Sequence, residues 1–199
     1  MYLTGMGADS NPSPRGTLLD CKRHGVELAG AVLGVLDRPM RRVAGKLKLA
    51  FDEIELPFED PPNREQIEKD ARSKDPWLKS RAELYLKYLA TDKKPPTGIQ
   101  LPLAAIRLGD DLTFVAMGGE VVVDYGLRFK RLLTADHPWL VGYAFEVPCY
   151  IPSVRILKEG GYEAQSSLIY YGYYGPFRTR IEGLLIGKMT ELVGRVRNE

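Results

Sequence analysis

The sequence predicts a mixed α/β (α+β) fold, a mixed β-sheet core flanked by helices, over residues 1–199 as a single domain. Three observations predict it. Apolar residues recur at three- and four-residue steps near each end of the chain, at Leu18–Leu36 and over Arg178–Val196. Between them Ile99, Leu101, Leu103 and Ala105 alternate toward a Gly109-Asp110-Asp111 turn, and an apolar run from Leu112 to Met117 returns. Strand and helix signals interleave without an internal repeat.

In chain order, the first 16 residues are rich in Gly, Pro, Ser and Asn and read as a loop. Thr17 is placed to cap a helix whose stripe is Leu18, Leu19, Val26, Ala29, Leu33 and Leu36, and Pro39 ends it. Leu47, Leu49, Phe51, Ile54 and Leu56 alternate loosely within 43–58, as one strand or two. A charged helical stretch follows from Arg64 to about Tyr88, interrupted at Asp75-Pro76. Its stripe of Trp77, Leu78, Ala82, Tyr85, Leu86 and Leu89 reads as core. After the hairpin, 123–133 reads as a helix, 139–144 as a short buried strand and 150–175 as loop-rich with aromatics. An amphipathic helix over 178–196 closes the chain.

Composition removes several function classes. The 28 basic and 26 acidic residues leave a net charge of +2, and no basic stripe interleaves with aromatics, so nucleic acid is not an expected partner. The densest basic cluster, Arg38, Arg41, Arg42, Lys46 and Lys48, reads as a solvated edge. No apolar run reaches the 18 residues of a transmembrane helix, and residues 1–9 do not form a signal peptide. Cys21 and Cys149 have no metal-type spacing and read as two half-buried thiols. No Gly-rich phosphate loop, serine elbow or Cys/His pair is present.

A carboxylate and a surplus of phenols remain. Glu120 follows Gly118-Gly119 directly after an apolar strand, where a charge must be paired, exposed or bound to a metal; the alternative role is to cap the next helix. Seven of the 11 tyrosines fall between Tyr143 and Tyr174, which suits either a pocket wall or a packing corner. His24 and His137 lie far apart and read as ordinary surface or boundary residues.

In these segments the chain resembles the catalytic domain of the neutral/alkaline (non-lysosomal) ceramidase family, specifically the C-terminal half of a divergent, bacterial-type member. Gly7-Ala8-Asp9-Ser10-Asn11-Pro12 resembles that family's Gly-Asp-x-Ser-Pro active-site loop, with Asn11 in the place of the serine. Leu108-Gly109-Asp110-Asp111 followed by Gly118-Gly119-Glu120 resembles the strand leading to Pro-Gly-Glu, with Gly118 replacing the proline. Tyr150-Ile151-Pro152-Ser153 and Tyr162-Glu163-Ala164 resemble the two tyrosine motifs, 12 residues apart, and Tyr174-Gly175-Pro176 follows as in the family.

The resemblance implies a zinc-dependent amide hydrolase that cleaves the N-acyl bond of ceramide or a related lipid amide. Glu120 and Tyr150 would be metal ligands, and Tyr162, Asp9 and Asn11 active-site contacts. The family's two histidine ligands precede the Asp-x-Ser loop and have no counterpart here. The resemblance therefore implies a domain incomplete at its N-terminus, supplying part of a Zn2+ site, with a missing N-terminal half or a homo-oligomeric copy as partner. Relatives are often secreted or periplasmic. The alternative is a non-catalytic domain of the same fold that binds a protein or lipid partner through its tyrosine-rich face.

Overall fold

The computed structural model describes residues 2–91 and 93–198. After the opening loop, the Thr17 side chain accepts from the Asp20 amide while Asp20 accepts from the Thr17 amide, a capping box that starts helix α1, Leu18–Leu36. Strand β1, Leu47–Pro57, is a single unbroken strand. Helices α2, Arg64–Asp70, and α3, Pro76–Leu89, are separated at the expected point. Asn63 caps the first and Asp75 caps the second, with Pro76 in its first turn. Strands β2, Gly98–Leu108, and β3, Leu112–Met117, form the predicted hairpin.

The remaining elements are shorter. Strand β4, Glu120–Val121, leads into helix α4, Val123–Leu132, and strand β5 is Pro138–Val141. Strand β6, Tyr150–Ile151, precedes helix α5, Val154–Glu159, and the closing helix α6 is Ile181–Asn198. The main sheet has order β1-β2-β3-β5, antiparallel except for the parallel β3–β5 pair, and β4 and β6 form a separate parallel pair.

Helix α6 lies on one face of this sheet. Its Ile181, Leu185, Met189, Leu192, Val193 and Val196 are buried with Ala50 and Leu56 of β1, Leu101, Leu103 and Ala105 of β2, and Val115 and Met117 of β3. The alternation of side chains along strands fixes what the other face carries. Leu47, Leu49 and Phe51 of β1, Ile106 of β2, Phe114 of β3 and Trp139 of β5 are partly or largely exposed there. Phe145 stacks edge to face on Phe51, with ring centroids 5.6 Å apart, and is itself 59% exposed. The sheet is apolar on both faces, a pattern that belongs to sheets covered on both sides, yet a helix layer covers only one.

Several expectations are corrected. The apolar stripe of α1 contributes nothing to the core: the helix has no buried residue, and Val26, Leu28, Val32, Leu33, Val35 and Leu36 are all exposed. Cys21, on that helix, is exposed rather than half-buried, whereas Cys149 is fully buried. The short strand near Trp139 is only partly buried: Val141 is buried, but Trp139 is exposed, because it stands on the uncovered side of an edge strand. Residues 150–175 are loop-rich as expected, and they also hold α5 and a 3-10 turn, Ser166–Tyr171, both too short to show a helical period. In α3, Trp77 and Leu89 are exposed while Ala82 and Tyr85 are buried.

One buried ion cluster ties the layers together. Asp136, 2% exposed, accepts from Arg107 Nη1 at 3.0 Å and from Arg197 Nε at 3.1 Å. Arg107 also donates to Thr113 Oγ1 at 3.2 Å and to the Asp110 carbonyl at 3.1 Å. Strand β2, the turn of the hairpin, the entry to β5 and the end of α6 thus share one charged node. Removing the carboxylate leaves the buried Arg107 guanidinium without its buried charge partner, so Asp136→Ala is expected to lower unfolding free energy by about 3–5 kcal/mol in urea titration. In the same measurement Leu33→Asp on α1 is expected to change stability by less than ~0.5 kcal/mol. Leu185→Ala on α6 is expected to cost about 2–5 kcal/mol.

Candidate functional site

The site grows from the way the chain leaves β3. Gly118 and Gly119 bring the backbone against the 146–151 segment: the Gly119 amide donates to the Glu146 carbonyl at 2.8 Å and the Glu120 amide to the Cys149 carbonyl at 2.9 Å. Gly119 has φ +78°, and a Cβ there would sit 2.5 Å from Ile151 Cγ1 and 3.1 Å from the Cys149 carbonyl oxygen. Only glycine fits that conformation and that approach without strain. The result is the β4–β6 pair, in which Glu120 is registered with Tyr150, so the two side chains leave the same face.

Glu120 is half-buried and its carboxylate is surrounded by phenols. Tyr171 donates to Oε1 at 2.8 Å and Tyr143 to Oε2 at 3.4 Å. Tyr150 stands beside it, and the Tyr162 ring packs edge to face on Tyr150 with centroids 5.4 Å apart. Burial pushes the Tyr150 and Tyr171 phenols well above the ordinary tyrosine value, and the adjacent Glu120 charge pushes them further. The same two causes raise Tyr143. These groups are neutral donors to an anion.

Each phenol is held from behind. Tyr143 lies in a left-handed backbone conformation, φ 55°, and its amide donates to the Gly119 carbonyl. In the 3-10 turn that carries Tyr170 and Tyr171, Leu168 is buried in the main core. Just beyond it the α2–α3 pair clamps Tyr174. The Tyr174 hydroxyl donates to Asp70, its amide donates to the Tyr85 hydroxyl, and the Arg81 guanidinium lies 3.8 Å from its ring centre. Burial, then the hydrogen bond to Asp70, pushes the Tyr174 phenol up to about 12. Beyond Tyr150, Ile151 enters the core and Ser153 caps α5 by accepting from the Ile156 amide.

Of the residues singled out in the sequence, Glu120, Tyr150 and Tyr162 come together. Asp9 lies near them but serves the backbone instead. Its Oδ1 accepts from the Val123 amide at 2.7 Å, capping α4, while the Ala8 amide donates to the Val121 carbonyl. The capping role considered for Glu120 thus belongs to Asp9. Asn11 is exposed and makes no side-chain hydrogen bond among the described residues. Tyr143 and Tyr171 were not singled out individually, although the tyrosine surplus between 143 and 174 contained both.

The donor set is one carboxylate and several phenols, all oxygen. Among the described residues no group of three or more His, Cys, Asp and Glu gathers to hold a metal. His24 bonds the Pro14 carbonyl at 2.8 Å and His137 is exposed beyond the 3-10 turn before β5; neither bonds to the cluster. Cys149 is sealed, and burial raises its thiol, with Glu120 adding to the effect. By themselves these side chains fit one flank of a zinc site, whose usual ligands include histidine nitrogen or cysteine sulfur, and not a whole one.

Compared with protein-family models, curated proteins and solved structures, the chain shows no match. No helix among the described residues is long and apolar enough to cross a membrane.

The shifted phenols make stability depend on pH. A phenol whose folded pKa lies above its unfolded value keeps its proton longer in the native state, so stability is full below pH 10 and falls as pH rises beyond it. Alkaline unfolding of the native chain should show that slope. Glu120→Gln removes the charge that holds protons on Tyr150 and Tyr171, so the late part of the ultraviolet phenolate titration is expected to move to lower pH. A superimposable curve would contradict the assigned contacts.

Proposed function

We propose that this chain carries the carboxylate–phenol flank of a metal-dependent amide hydrolase acting on an N-acylated lipid such as ceramide. Nitrogen ligands would come from a separate polypeptide segment that covers the open sheet face. The convergence of Glu120 and Tyr150 in one strand register, with Tyr162 against them, carries this reading. Those three residues are the ones that the ceramidase resemblance assigns to the metal and the scissile bond. Among the described residues no group of three or more metal-ligating His, Cys, Asp or Glu gathers beside them, and this together with the exposed apolar sheet face favours a supplement from outside these residues.

In this reading Glu120 and Tyr150 would hold zinc, which supplies an acidified water and polarises the amide carbonyl when bound. The chain's own residues divide the remaining work. Tyr162, 46% exposed, reaches the solvent side of the cluster and can donate a hydrogen bond to an oxygen that gains charge. Tyr171 and Tyr143 fix the Glu120 carboxylate by donating one hydrogen bond to each oxygen. The raised Tyr150 phenol favours its neutral form, so a cation alongside would be needed to make it a phenolate. The Ala8 amide ties the opening loop to Val121 of the same strand and Asp9 caps α4, which leaves the exposed Asn11 as the loop's polar contact for substrate.

A second reading, a non-catalytic domain that binds through its tyrosine-rich face, is favoured by the half-exposed Tyr162, Tyr170 and Trp77 rings. Calorimetric titration with zinc separates the two when joined to an assay of fluorescent short-chain ceramide. The isolated chain is expected to bind zinc weakly or not at all and to be inactive. Adding a partner that supplies two histidines should create a tight site and amidase activity, both lost in Glu120→Gln and reduced at least tenfold in Tyr150→Phe. A tight zinc site or ceramide hydrolysis by the isolated chain would overturn the shared-site reading.

A further inference from the structure

The aromatic cluster does not end at Glu120. From Tyr150 the rings continue outward: Tyr162 lies 5.4 Å from Tyr150, Tyr170 lies 6.4 Å from Tyr162, and Trp77 of α3 lies 5.2 Å from Tyr170. Tyr162, Tyr170 and Trp77 are 46, 50 and 51% exposed. Three adjoining half-exposed rings, recruited from segments more than 80 residues apart, form one ridge rather than scattered surface residues. At the outer end the Trp77 and Tyr170 rings border a cleft of 260 Å³ whose polar lining is Ser80, Arg81, Glu83 and Lys87.

That combination selects among ligands. An alkyl chain gains about 0.8 kcal/mol per buried methylene. Laid across this cleft it would also strip water from Ser80, Glu83, Lys87 and the phenol tips, at about 1–3 kcal/mol for each polar group left without a partner. The charges are mostly engaged already: Arg81 faces Asp70 at 3.8 Å and the Tyr174 ring, and Glu83 faces Lys79 at 3.9 Å, so among the described residues Lys87 alone is left for a charged ligand. A pyranose ring meets both demands, with a C–H face for the aromatic ring and hydroxyls that donate and accept around it. We propose that the Trp77–Tyr170–Tyr162 ridge and its outer cleft form a binding track for a neutral saccharide, running toward Glu120. The proposal does not rest on the hydrolase reading.

The test uses the intact chain, with maltotetraose, cellotetraose and chitotetraose as probes and octanol and decanol as the apolar controls. The two tryptophans give two indole N–H resonances, assigned with Trp77→Phe and Trp139→Phe. At least one tetrasaccharide is expected to shift the Trp77 resonance saturably and leave Trp139 unmoved. By calorimetry Tyr170→Ala and Trp77→Ala, both at half-exposed positions, should each weaken binding at least tenfold, and Ser80→Ala about threefold. The proposal is overturned if no tetrasaccharide binds at millimolar concentration, or if affinity is unchanged in both aromatic variants. It is also overturned if the alcohols bind there instead, with affinity rising about fourfold per methylene. Because zinc and amidase assays play no part, this result and the fate of the hydrolase reading are read separately.

Discussion

The close passage of the backbone at Gly119 governs the rest of the site. A side chain at that position would collide with Ile151, and the two short strands could not pair. Without that pairing Glu120 and Tyr150 would have no common face, and Tyr143 would lose the carbonyl that anchors its amide. The hairpin of the main sheet supplies the direction of approach, the missing Cβ supplies the room, and the carboxylate is delivered among phenols as a result. Charge then organises what backbone geometry has assembled, because a half-buried anion orders every hydroxyl able to reach it.

Much of this was legible in the residues. Helix α1 and its Thr17 cap, the hairpin turning at Gly109, the break at Asp75-Pro76 and the closing helix all follow from local rules, and each is present within a few residues of its expected bounds. Glu120 announced itself through its two glycines. Other features had no local signal. The six residues of α5 show less than two turns of periodicity, and its cap, Ser153, is recognisable only once the chain is folded. Tyr171 reaches Glu120 across 51 positions, and nothing in the spacing distinguishes it from Tyr170, which points the other way along the ridge.

The misjudged elements share a cause. Helix α1 and the outward face of the sheet have the apolar content of core elements, and a sequence pattern reports that content without saying what will meet it. Periodicity correctly gave the helix and the strands. It could not state that Leu33 or Phe51 would stand open in this chain. The same holds for Trp139, whose position on an edge strand is set by the sheet order β1-β2-β3-β5.

The ring of hydroxyls around Glu120 has a last consequence. Each phenol arrives with its proton, and the carboxylate is already solvated by them. Whatever takes their place must out-compete a prepared shell, and a cation that recruits a phenolate must expel hydrogen ions into the medium. Occupancy would then be coupled to acidity: more alkaline surroundings ease entry, and acid closes the shell again.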